Sequence, residues 1–250
     1  MLLEGKVALV TGSVRGTGEG IAKAFAREGA KVMLNQVKDE GEPVRVLSEL
    51  ESAGVSSAFC RADVTDPEAV ADLVSATERD LGPIDILVNN YAAPVPRARF
   101  AESRWEAWQT QIDYTVKAAF LCTQAVLPGM RSRRWGRIIS VNTIGIHQPR
   151  PTYHGYTAAK TAMLGFTRNL ALDVGADNVT VNIVSPGLTL TREVEARLGE
   201  AERARHIERV PLARVGRVED TANAVVFFAS DLAAFVTGHY LPVCGGQVMA

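Results

Sequence analysis

Cysteine is scarce in this sequence and what there is does not pair. Cys60, Cys122 and Cys244 are the only three in 250 residues, and their wide, odd spacing excludes both a disulfide framework and the paired ligands of a zinc site. No metal is therefore expected. An excess of charge is also missing: 27 Lys and Arg stand against 28 Asp and Glu, a net of -1. Such a chain has no general attraction for nucleic acid or an anionic membrane, and any basic pocket must be local. No apolar run is long enough to span a bilayer. The opening Leu2-Leu3-Glu4-Gly5-Lys6 lacks the basic, apolar and small-residue pattern of a secretory signal, so a reduced, cytoplasmic setting is the expectation. Repeats, low-complexity tracts and Pro/Gly/Ser linkers are absent too. With 47% hydrophobic residues, residues 1–250 are expected to form one domain around a large core.

What is present is an alternation of short apolar runs and helical periodicity. Val7 to Val10, Val32 to Leu34, Ser57 to Cys60, Ile84 to Val88, Arg137 to Val141, Val179 to Val184 and Tyr240 to Val243 read as strands. Helices are expected over Ile21 to Ala26, Val44 to Leu50, Asp66-Pro67 toward Leu81, Trp105 to Met130, Tyr156 to Val174 and Val225 to Ala229. Asp66 caps its helix, with proline at the tolerated first position. Strand–helix alternation predicts an α/β, doubly wound parallel sheet with helices on both faces. In such sheets ligands bind beyond the carboxyl ends of the strands.

The first strand runs into Thr11-Gly12-Ser13-Val14-Arg15-Gly16-Thr17-Gly18. Glycines there allow a tight turn and close backbone approach, and the following helix N-terminus offers free N–H groups to a pyrophosphate. A glycine turn that merely reverses the chain is the alternative. After the second strand comes Asn35-Gln36-Val37-Lys38, with no carboxylate to bind ribose hydroxyls or repel a 2′-phosphate. Arg15 and Lys38 could pair with that phosphate, or be solvated surface cations. NADP(H) is the preferred cofactor on this reading, with NAD(H) possible.

Tyr156 and Lys160 are four residues apart, on one face of a helix. A phenol is a poor base near neutral pH unless a cation stabilises its anion, and Lys160 can supply that charge. A Tyr and Lys merely sharing a helix face is the other reading.

The glycine pattern and Tyr156-x-x-x-Lys160, with Asp63-Val64, Asn89-Asn90, Pro186-Gly187 and Thr191, and Gly238 and Gly245-Gly246 in order, resemble the short-chain dehydrogenase/reductase family over essentially the whole chain, with 3-oxoacyl thioesters as one substrate possibility. The resemblance implies a Rossmann-type sheet and a hydride exchanged between nicotinamide and a carbonyl or alcohol carbon. It also implies that Asp63 and Val64 contact adenine, Asn89 lines the adenosine side and Thr191 reaches the nicotinamide amide. Asp63 as a turn cap, Asn89 as a loop residue and Thr191 as a helix N-cap stand beside those roles. In the family the lysine holds the nicotinamide ribose and the tyrosine protonates the carbonyl oxygen. A serine hydrogen-bonds the same oxygen; thirteen residues before Tyr156 stands Thr143, which keeps the hydroxyl. Ser140 and Asn142 are its rivals. The family's N-N-A-G is Asn89-Asn90-Tyr91-Ala92 here, and its catalytic asparagine is Thr115, whose hydroxyl could hold a water linking Lys160 to solvent.

Residues 144–154 are expected to edge the substrate pocket, and the charged segment 188–210 to form a helical lid. The resemblance further implies a homotetramer built on the long helices and the C-terminal strand. A small ketone or alcohol is the expected substrate, without nucleic acid or membrane as partner. A cofactor-binding protein with little catalysis is the alternative function, motivated by Tyr91-Ala92, Thr115 and Thr143.

Overall fold

The structure, a computed structural model, describes residues 1–37 and 42–249. Seven strands form one sheet in the order β3-β2-β1-β4-β5-β6-β9, and every pairing is parallel. The strands are β1 Val7–Val10, β2 Lys31–Gln36, β3 Ser57–Arg61, β4 Ile86–Asn89, β5 Gly136–Val141, β6 Val179–Pro186 and β9 Tyr240–Val243. Central strands β1 and β5 are buried along their whole length; β1 accordingly reads as an unbroken apolar run, whereas β5 also carries Arg137 and Ser140 into the interior.

Helices cover both faces. On one lie α1 Gly16–Arg27, α2 Glu42–Ser52 and α9 Val218–Ala229, packed through Ile21, Phe25, Leu50, Val225 and Phe228. On the other lie α3 Pro67–Asp80, α5 Ala118–Arg133 and α6 His154–Val174, packed through Val70, Leu73, Val126, Met130 and Val174. Asp66 caps α3 by accepting from the Glu68 N–H at 3.0 Å. Chain order reverses direction between β1 and β4, so their carboxyl ends open a crevice, the place where such sheets hold ligands.

Two expected elements differ. The helix expected over 105–130 is α4 Trp105–Ile112 and α5, joined by one π turn, Asp113–Lys117. A wide turn adds a residue to the helical ladder and re-aims the side chains around it; Thr115 is buried there. Residues 188–210 are not one helix. A two-residue strand, β7 Thr189–Leu190, pairs with β8 Gly216–Arg217, and then α7 Arg192–Arg197 and α8 Glu200–Ile207 follow. Leu198 and Gly199 are extended between them, and glycine is a poor helix former there.

Candidate active site

The glycine turn closes over the end of β1. Gly12 and Gly16 take φ of +62° and +56°, and a Cβ on Gly18 would lie 2.2 Å from the Gly12 carbonyl oxygen. Only glycine fits at Gly18. The turn is fixed from β4: the Thr11 hydroxyl accepts the N–H of Asn90 at 3.0 Å and of Tyr91 at 3.1 Å. The Asn90 amide donates to the Thr11 and Gly12 carbonyls, both at 2.9 Å. Thr11 and Asn90 stand in the two sequence motifs but are given no role there, because this interlock joins residues 79 apart. Thr17 lies in the first turn of α1 and Arg15 is exposed at its N-cap. Thr191 caps α7, accepting from the Val194 N–H at 3.3 Å. Its methyl group also faces Gly16.

Asp63 serves a turn. One oxygen accepts from the Thr65 N–H and hydroxyl at 2.9 and 2.8 Å, the other from the Tyr114 hydroxyl at 3.2 Å. Val64 is buried beside it. The Tyr91 ring lies 5.2 Å from that of Tyr114 and against Gly12, so it walls the crevice beside the glycine turn. The Asn89 side-chain amide is buried without a hydrogen-bond acceptor. At the end of β2, Asn35 is spent on the fold, donating to the Cys60 and Ala62 carbonyls at 3.2 and 3.1 Å. Lys38 lies outside the described residues. A cradle that a Cβ would fill, a helix N-terminus and an unsatisfied amide together fit a dinucleotide.

Thr143 follows β5, and Thr143, Tyr156, Gly187 and Leu188 line one cavity of about 510 Å³. Pro186 ends β6, and the Gly187 N–H donates to the Val243 carbonyl at 3.0 Å. Ser140 and Asn142 do not line that cavity. Asn142 is buried and donates to the Lys160 carbonyl at 3.0 Å, tying β5 to α6. Burial pushes the Tyr156 phenol above its ordinary pKa, outweighing a hydrogen bond with Thr143 and the nearby charge of Arg150. Lys160 is not among the groups that shift that pKa. Lys160 is 5% exposed, its ammonium donates to the Val141 carbonyl at 2.8 Å, and burial lowers its pKa to about 8. Behind it, Thr115, Asn89, Ser140 and Lys160 share a cavity of about 10 Å³, about the size that admits one water.

Of residues 144–154, Ile144, Gly145, Gln148, Arg150 and Tyr153 line the large cavity. His147 instead packs on Tyr240 and His154 on Trp108. Leu188 and Arg197, from the segment expected to be a lid, reach the cavity, as does Arg97 from the stretch after β4. Neither Arg97 nor Arg197 carried a signal in the sequence. Among the described residues no group of three or more His, Cys, Asp or Glu could hold a metal, and no helix is long and apolar enough to cross a membrane.

The sequence profile of a family described as enoyl-(acyl carrier protein) reductase matches residues 12–247. The 3-oxoacyl-(acyl-carrier-protein) reductase FabG of Escherichia coli is 35% identical, with 100% of both chains covered. The 3alpha-hydroxysteroid dehydrogenase of Mediterraneibacter gnavus is 38% identical, with 98% of each covered. Among solved structures, a 7 alpha-hydroxysteroid dehydrogenase complexed with NADH and 7-oxo glycochenodeoxycholic acid superposes with a TM-score of 0.93 at 29% identity, over 99% of this chain and 96% of the other.

Proposed function

The chain belongs to the short-chain dehydrogenase/reductase family and is an NAD(P)-dependent oxidoreductase; within that class we propose that Tyr156 is its proton-transfer residue, with Thr143, Lys160 and Thr115 assisting. The observation that carries this is the meeting of Thr143 and Tyr156 in one cavity, with Lys160 buried behind them at the end of β5. The glycine turn would hold the pyrophosphate of a nicotinamide dinucleotide, which when bound would supply the hydride for the carbonyl carbon. Tyr156 gives its phenolic proton to the carbonyl oxygen, and the Thr143 hydroxyl donates a hydrogen bond to the same oxygen. Lys160, with a pKa near 8, then returns a proton to the phenolate. The Thr115 hydroxyl extends that path toward solvent. Alcohol oxidation runs the same transfers backwards.

Gly12, Arg15, Gly16, Thr17 and Gly18 are assigned to the pyrophosphate and ribose, and Asp63, Val64 and Asn89 to the adenosine. Pro186, Gly187 and Thr191 are assigned to the nicotinamide, beside Tyr156 and Lys160. NADP(H) is the favoured form: no carboxylate stands among the described residues at the end of β2, and Arg15 is exposed at the turn. Carbonyl compounds are the substrate class, the relatives above being named for 3-oxoacyl and steroid substrates. Self-association as a homotetramer is supported by exposed Phe120 on α5 and Leu172 on α6, together with Leu232 and Phe235 near β9. Such apolar side chains on the long helices are suited to burial against a second copy. Residues 188–210 act as the lid, and the three cysteines, all unpaired, suit a reducing cytoplasm.

Tyr156→Phe tests the reading. Turnover of a ketone panel with NADPH should fall ~10²–10⁴-fold, while NADPH fluorescence still reports cofactor binding. Tight binding without turnover by the unaltered protein would instead favour a cofactor-binding role.

A further inference from the structure

The large cavity carries a charge pattern that hydride transfer does not need. Arg97, Arg150 and Arg197 all line it beside Thr143 and Tyr156, and no Asp or Glu among the described residues does. The three come from separate parts of the fold: the stretch after β4, the loop before α6, and α7. None of them forms an ion pair among the described residues. Arg131, Arg133 and Arg134, at the end of α5, each have an aspartate partner.

Tyr153 organises two of the three. The guanidinium carbons of Arg97 and Arg150 sit 5.5 and 5.6 Å from its ring centroid, within cation–π range. That ring is 6.0 Å from the Tyr156 ring, at 74°. Two guanidinium groups are therefore held one aromatic ring away from the proposed proton donor. The field of Arg150 reaches further: it opposes the burial that raises the Tyr156 pKa, and it adds to the burial that lowers that of His206. Solvated surface arginines need no convergence. Here three cations without an ion-pair partner among the described residues meet at one concave site, in a chain whose net charge is only -1. Their mutual repulsion is relieved by an anion between them, and a concave wall focuses their field into the cavity. The planar fork of arginine matches the oxygens of a carboxylate or phosphate.

We propose that the substrate is a carbonyl or hydroxy compound that itself bears an oxyanion, a carboxylate or a phosphate, gripped by Arg97, Arg150 and Arg197 while its reacting carbon lies against Thr143 and Tyr156. This assignment rests on the oxidoreductase reading above. It places the polar tail of the substrate toward α7, on the side of the cavity where the lid segment contributes Arg197.

Matched pairs test it. A series of oxo acids, from 4-oxopentanoate to 7-oxooctanoate, is compared with the methyl esters under NADPH. Acetoacetyl pantetheine is compared with acetoacetyl 4′-phosphopantetheine. The best charged member should exceed its neutral partner in kcat/KM by at least tenfold, mainly through KM. The preference should shrink as salt is raised and fall to within about threefold in the Arg150→Gln/Arg197→Gln double variant. The corresponding double lysine variant should keep more of it. A carboxylate preference without a phosphate preference identifies the oxo acids as the source, and the reverse identifies the phosphorylated carrier arm. Charged-to-neutral ratios near one in both pairs, or ratios unchanged in the double glutamine variant, overturn the proposal while leaving the oxidoreductase reading standing. Calorimetric binding of the same compounds to protein saturated with oxidised cofactor needs no turnover. If charged compounds bind preferentially, and lose that preference in the variant, yet nothing reacts, the anion site stands and the redox reading falls.

Discussion

Methionine in place of Lys160 removes a buried charge while keeping most of the side-chain volume, and the effect on stability depends on pH in a definite direction. The ammonium is 5% exposed, meets the Val141 carbonyl at 2.8 Å, and has its pKa lowered by burial from 10.5 to about 8. In the unfolded chain it returns to the higher value. Below pH ~8 both states hold the proton, so the folded state bears the whole cost of enclosing a cation. As pH rises toward that of a free lysine, the folded state sheds its proton while the unfolded state keeps one, and stability increases. Above that window the cost is gone. At ~1.4 kcal/mol per tenfold change in affinity for the proton, the recovered stability is about 3 kcal/mol.

The measurement is urea unfolding of the nucleotide-free protein, followed by tryptophan fluorescence at fixed protein concentration between pH 7 and pH 10.5. Subtracting the Lys160→Met curve from the unaltered one cancels every titration the two share. The difference should move in favour of the unaltered protein by about 3 kcal/mol across the window, with most of the change above pH 8. Lys160→Gln should give the same slope with a different offset, since a neutral donor can still reach the carbonyl. A difference that does not vary with pH would refute the reasoning. So would one that moves against the unaltered protein, because that sign requires an anion beside the ammonium.

Thr143→Val should lower kcat ~10²–10³-fold, the cost of removing one donor to the reacting oxygen, with Thr143→Ser close to the unaltered enzyme; steady-state ketone reduction checks both. Thr115→Val should slow turnover and enlarge the solvent deuterium isotope effect on kcat, and unchanged turnover would contradict any role for that hydroxyl. Gly18→Ala puts a methyl group 2.2 Å from the Gly12 carbonyl oxygen, so NADPH affinity measured by fluorescence should fall at least ~10-fold as the phosphate turn is displaced. Cys122 is 1% exposed and its pKa is pushed up to about 12 by burial. In the native protein at pH 8 it should resist a chromogenic disulfide reagent that labels Cys244, all three thiols reacting once the chain is unfolded.

The sheet was legible because its central strands are buried on both faces and so appear as short apolar runs; Val7–Val10 and residues 86–88 are the clearest cases. Pairing of Thr189–Leu190 with Gly216–Arg217 was not, since a two-residue strand has no periodicity to detect. Nor does Asp113–Lys117 differ in composition from ordinary helix, so the π turn that buries Thr115 left no trace. At the site, spacing revealed the glycine turn and the Tyr156–Lys160 pair because both are local. The interlock of Thr11 with Asn90 and the convergence of Arg97 with Arg197 depend on long-range folding instead.

Electrostatics marks the sharper boundary. Spacing alone suggested that Lys160 makes the Tyr156 phenol more acidic, yet the ammonium rests on a backbone carbonyl and burial raises the phenol's pKa. Both groups are thereby kept in their less charged direction, the phenol protonated and the lysine ready to lose its proton. A donor that must deliver a proton to a carbonyl oxygen gains from a raised pKa only if the resulting phenolate is then reprotonated, and a lysine of pKa near 8 one helical turn away is well matched to do that near neutral pH. The same averaging hides the arginines. A net charge of -1 describes the whole surface, whereas the chemistry answers to the few charges that face one cavity.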